Sequence, residues 1–162
     1  MHSVGRRGEV GAAVTPAGGE RPVVLATLGV PFAAPAVTFA VGAALESGQP
    51  LIVANVVELP PLAMSVNMRH DQLDDPPELE AALAAPARTA WSLGVQVQRL
   101  RVRSMRPVPA LVELAETCDA GLLVFGPDPA RLRRRALRRA AARLRADVGC
   151  LLWIVGDYED ER

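Results

Sequence analysis

The chain predicts an α/β fold, a single doubly wound five-stranded parallel sheet with helices on both faces. Two observations carry this. Residues 22–29, 51–57, 122–126 and 150–155 are near-continuous apolar runs, rich in valine, leucine and isoleucine. Strands covered on both faces read this way, whereas half-exposed strands alternate. Between the runs, apolar residues recur three and four apart, the spacing of a helix with one buried stripe. At 162 residues, half of them apolar, the chain makes one domain with a sizeable aliphatic core.

The elements follow in order. Pro22-Val23-Val24-Leu25-Ala26-Thr27-Leu28-Gly29 reads as a buried strand closed by glycine. Pro35 then suits a first helical turn, Val37, Val41, Ala44 and Leu45 give the apolar face, and Gly48 ends the helix. Residues 51–57 form a second strand. Residues 59–75, with Pro60, Pro61, Met64 and Met68, make a long irregular stretch, expected to be a lid or a disordered excursion. Asp75-Pro76-Pro77-Glu78 resembles a helix start with an aspartate cap. Leu79, Leu83, Ala87 and Trp91 continue that helix to Gly94, with a kink expected at Pro86. Residues 95–102 alternate, which predicts a strand near the sheet edge. Pro109 is read as opening a helix, residues 130–146 as an arginine-rich helix, and residues 157–162 as an acidic tail. Residues 1–20, glycine-rich and without an apolar stretch, are expected to be a flexible leader and not a signal peptide, leaving residues 21–156 as the domain.

Composition excludes several function classes. Net charge is zero, so no global field draws the protein to nucleic acid or membrane. No run of about 18 apolar residues is present to span a bilayer. All 18 basic residues are arginine, which removes a Schiff-base lysine and a P-loop lysine. Cys118 and Cys150 lack metal or redox spacing and read as small hydrophobes in a reducing cytosol, so a cytoplasmic location is expected. His70 lies in the long loop and His2 in the leader. No G-x-S-x-G, H-E-x-x-H or paired-carboxylate pattern occurs, so a hydrolase or transferase is disfavoured. Trp91 and Trp153 are expected in the core, with a dimer contact as the alternative for Trp153.

Five stretches in this order resemble the universal stress protein family: residues 24–29, Asn55-Val56-Val57-Glu58, the segment from Pro109 to Glu116, Ala120-Gly121-Leu122-Leu123-Val124-Phe125-Gly126, and residues 148–155. The resemblance covers nearly the whole domain. It implies strand order 3-2-1-4-5 and, commonly, a homodimer through the last strand, residues 150–155. Family members that bind ATP carry an aspartate before the first-strand glycine and G-x2-G-x9-G-(S/T) after the fourth strand. Here the first place is Leu28. Gly126 matches the first glycine of the motif and Pro129 replaces the second. The last two places fall at Arg139 and Ala140, or at Arg138 and Arg139 when counted back from Cys150. No glycine or hydroxyl stands there in either register. Prolines 127 and 129 also take two N–H donors from the turn.

The resemblance with this departure implies a non-enzymatic domain, a stress-related regulatory or interaction module with no cofactor. The alternative is a nucleotide or other phosphate ligand, ATP included, held in a rebuilt site by Gly29, Gly126, Arg131 and Arg134, with Val56 near a base. The arginine helix allows three readings. Residues 131–145 hold eight arginines; with Asp128 and Asp147 the segment 128–147 carries +6 against −6 elsewhere. It is a solvated face with Leu137, Ala141, Leu144 and Val148 buried, a dock for an acidic partner, or a polyanion site at the helix start. No aromatic residue is interleaved to stack on bases.

Overall fold

A computed structural model describes residues 19–60 and 76–156. The leader up to residue 18, residues 61–75 with Met64, Met68, His70 and Asp75, and the acidic tail lie outside the described residues.

Five strands form one parallel sheet in the order β3-β2-β1-β4-β5. They are β1 (Val23–Thr27), β2 (Leu51–Glu58), β3 (Val97–Ser104), β4 (Leu122–Phe125) and β5 (Leu151–Ile154). The helices are α1 (Ala34–Ser47), α2 (Pro77–Ser92), α3 (Pro107–Thr117) and α4 (Arg134–Asp147). The predicted fold class and strand order are both present. β1 sits at the centre between β2 and β4, where the strand order reverses, and every one of its residues is buried. This is why its run is apolar without interruption. β3 is an edge strand, as its alternation requires.

Alternate residues of each strand face opposite layers. Val24, Ala26, Ile52, Ala54, Val56, Leu123 and Phe125 pack under α3 and α4 with Leu111, Leu114 and Leu144. Val23, Leu25, Leu51, Val53 and Val124 pack under α1 and α2 with Ala36, Ala40 and Ala87. Small alanines on α1 let that helix lie close to the sheet.

Several boundaries differ from the sequence reading, for local reasons. α1 ends where predicted, at Gly48 with φ 67°. α2 has Pro76, without a side-chain cap bond, at its N-cap position, so no aspartate cap is seen among the described residues. Pro86 does not interrupt α2; it is buried within a continuous helix. α3 begins at Pro107, two residues earlier than expected, because a proline at the first position loses no helical hydrogen bond. Trp91 is not in the core. It is 71% exposed, one step past the buried stripe of Leu83, Ala87 and Ala90. Trp153 is partly buried and stacks on Phe39, with ring centroids 5.1 Å apart and planes 17° apart.

Cys118 is fully buried at the end of α3, in the layer under α3 and α4. Burial pushes its thiol from an ordinary 9.0 up to about 11, and burial also raises that of Cys150. The folded protein therefore keeps the Cys118 proton at a pH where the unfolded chain releases it. The resulting stability is fully present below pH 9.0 and is lost as the pH rises to about 11. The melting temperature of wild type should fall more steeply across that window than that of Cys118→Ala, measured by thermal denaturation at stepped pH.

Candidate functional site

In an open parallel sheet the ligand crevice lies beyond the carboxyl ends of the strands at the reversal point, here the β1 and β4 turns. The β1 turn is tightly tied. Thr27 Oγ1 donates to the Val30 carbonyl at 2.8 Å. Gly29, at φ 72°, donates its N–H to Asn55 Oδ1 at 2.8 Å. A left-handed φ favours glycine at this point. Leu28 packs partly buried against the α3/α4 layer, so the place of a carboxylate is taken by an apolar contact.

The β4 turn can be followed donor by donor. Gly126 N–H goes to the Ala26 carbonyl at 2.9 Å, and Asp128 N–H to the Pro31 carbonyl at 2.9 Å. Ala130 N–H goes to Asp128 Oδ1 at 3.0 Å. Arg131 and Leu132 both donate to the Asp128 carbonyl, at 3.0 and 3.2 Å. Pro127 and Pro129 have no N–H. From 126 to 132, then, every backbone position either lacks a donor or has spent it inside the protein. Pro127 is buried and bridges Phe32 in antiparallel fashion, fastening the two turns to each other. Ala33 N–H completes this clasp on the Gly126 carbonyl at 2.9 Å.

Gly126 has a packing role as well. A Cβ built on it would lie 2.2 Å from the Cβ of Ala36 on α1. The glycine is required by the close approach of α1 to β4.

The other sequence-derived candidates are placed as follows. Val56 is fully buried under α3 and α4. Arg131 lies in the turn before α4, and Arg134 is its first residue; both are exposed. α4 was expected from residue 130, but the Asp128 turn holds 130–132 out of the helix. Arg138, Arg139 and Ala140, where the family motif would need glycine and a hydroxyl, lie inside α4. All eight arginines of 131–145 are exposed. The opposite stripe is Ala140, Ala141 and Leu144, with Leu137 and Val148 partly buried. This is the solvated face read from the sequence. Arg143 pairs with Asp147 at 3.1 Å.

The sequence reading missed one group. Phe32, Val53, Asn55, Glu80, Leu83, Arg99 and Arg101 line a cavity of about 340 Å³ on the α1/α2 side of the sheet. The available signal was Asn55, a lone amide in an otherwise apolar buried strand. Among the described residues no cluster of His, Cys, Asp and Glu could hold a metal, and no helix is long and apolar enough to cross a membrane.

The sequence matches the profile of the universal stress protein family over residues 20–155. No curated protein sequence matches it. Solved structures share the fold. A universal stress protein family member from Burkholderia pseudomallei superposes with TM-score 0.59 at 18% identity, over 86% of this chain and 98% of that one. The universal stress protein from Archaeoglobus fulgidus in complex with dAMP gives 0.56 at 16%, over 83% and 96%. A universal stress protein in complex with cAMP gives 0.55 at 23%, over 84% and 96%.

Proposed function

The chain belongs to the universal stress protein family, and we propose that it acts by binding, as a non-enzymatic, stress-related regulatory or interaction module whose family-type ATP site is closed. The observation that carries this is the donor count after β4. A triphosphate needs inward-turned N–H groups that are free to donate. Between 126 and 132 the two prolines supply none, and the other five are satisfied within the chain. Opening that turn would break the bonds that join it to the β1 turn. Asp128 adds a negative charge where phosphate oxygens would lie. The test is the nucleotide content of protein purified without added nucleotide, read by chromatography after denaturation. Adenine nucleotide released in stoichiometric amount would overturn the reading.

A second reading draws on the two similar structures that hold cAMP and dAMP. In it a nucleotide or other phosphate ligand sits near Gly29, Gly126 and Val56 and is paired by Arg131 and Arg134. A rise in melting temperature with a nucleotide panel would support this version, and the Arg131→Ala, Arg134→Ala double variant should abolish that rise.

The partner of the module is proposed to include a second copy, joined through residues 150–155. β5 ends the sheet order and Leu151 is 74% exposed, so among the described residues an apolar edge strand stands without a neighbour. Wild type should sediment as a dimer and Leu151→Arg as a monomer, with unchanged circular dichroism; a monomeric wild type removes this pairing. The exposed arginines of 131–145 fit an acidic protein surface or a polyanion as a further partner. A cytoplasmic setting agrees with the free thiols of Cys118 and Cys150.

A further inference from the structure

We propose that the cavity between α2, β2 and β3 is a binding site for a small uncharged ring compound that presents a carbonyl acceptor, separate from the β4 turn. The register of the sheet builds it. Val53 pairs with Arg99 and Asn55 with Arg101, and in-register neighbours of a parallel sheet project to the same face. Glu80 and Leu83, one helical turn apart on α2, form the facing wall, and Phe32 from the β1–α1 connection completes the lining.

The chemistry of the walls selects the ligand. Asn55 is only 5% exposed, and its Oδ1 already accepts the Gly29 N–H. That bond fixes the amide orientation, since only the oxygen can accept from an N–H. Nδ2 is then a buried donor, without a partner among the described residues. A buried donor left unpaired is costly, so an acceptor brought by a ligand gains more here than at the surface. The charged groups of the lining point to an uncharged ligand. Arg99 Nη2 meets Glu80 Oε1 at 2.6 Å, and both side chains are about half exposed, which marks the pair as the rim. Arg101 is engaged in an interaction of its own. Neither arginine is set aside for an anion, so a charged group would give up its water without a dedicated counter-charge. Phe32, Val53 and Leu83 offer apolar walls to a flat body. At about 340 Å³ the cavity falls at the small end of the range for ligand pockets, which suits a single ring and not a nucleoside triphosphate.

The probe is acetophenone, an uncharged aromatic ring with one carbonyl. α-Methylstyrene has the same shape with a methylene group in place of the oxygen, and benzoate has the same shape with a negative charge. With the full chain labelled with 15N, the Asn55 side-chain amide resonances should shift saturably with acetophenone. α-Methylstyrene and benzoate should each bind about tenfold more weakly, the first because Nδ2 stays unpaired and the second because its charge is desolvated. Arg99→Gln should leave the affinity for acetophenone within about twofold and the melting temperature unchanged, because the exposed ion pair neither holds the ligand nor adds much stability. Asn55→Asp keeps the acceptor for Gly29 and removes the donor, so it should erase the preference for acetophenone over α-methylstyrene. If that variant does not fold, the ligand series on wild type decides alone. The proposal is overturned if acetophenone leaves the Asn55 amide unmoved at millimolar concentration, or if α-methylstyrene or benzoate binds as tightly as acetophenone. It is equally overturned if the free protein shows nuclear Overhauser contacts from the Asn55 amide to residues 61–75, since the cavity would then be filled by the chain itself. Acetophenone binding does not depend on the β4 turn, so its failure leaves the closed-turn reading untouched.

Discussion

Gly126→Ala should destabilise the protein by about 2–4 kcal/mol, among the larger costs expected of a single methyl group. Its Cβ would stand 2.2 Å from that of Ala36, and both belong to relatively rigid pieces, the end of β4 and the first turn of α1. Neither side chain can rotate away. Relief needs α1 to lift from the sheet, which would loosen Ala33 from the Gly126 carbonyl and Asp128 from Pro31. Urea denaturation of the single variants and of Gly126→Ala with Ala36→Gly closes a double-mutant cycle. The pair should recover a large part of the loss, even though glycine in α1 costs about 0.5–1 kcal/mol by itself. Purely additive effects would mean that the helix and strand do not meet as described.

Phe125→Ala should cost about 3–5 kcal/mol. Phe125 is the largest of the fully buried side chains. On the flanking strands its register partners are Ala26 and Ile154, and α3 and α4 close over it with Leu111 and Leu144. Ala26 is small, so nothing on the β1 side is positioned to fill the void. By contrast, Arg138→Ala on the exposed face of α4 should change stability by no more than about 0.5 kcal/mol. Chemical denaturation of both variants checks the contrast.

The sequence revealed what depends on pattern. Strands β1 and β2 were legible because burial on both faces leaves little choice but aliphatic residues, and β3 because an edge alternates. The end of α1 was legible because Gly48 marks it. Trp91 misled because it falls near the helical spacing of Leu83 and Ala87, while the buried stripe of α2 runs through Ala90 and leaves the next position exposed. The start of α4 was misplaced because the Asp128 turn is a product of its own side-chain bond to Ala130, which helical periodicity does not register. Gly126 was read as part of a phosphate turn, since a glycine after a strand serves either use; its contact with Ala36 is long-range and invisible in one dimension. Asn55 was noticed only as part of a family resemblance. Its bond to Gly29 joins β2 to the β1 turn across 26 positions, and its Nδ2, buried without a partner among the described residues, is placed so only once the strands are assembled.

Titration calorimetry of magnesium ATP into the purified chain tests the central claim most directly. With the donors from 126 to 132 absent or already bonded, no saturable heat should appear at micromolar nucleotide. A single-site isotherm of micromolar affinity, lost when Arg131 and Arg134 are replaced by alanine, would contradict the account and place a triphosphate at the β4 turn.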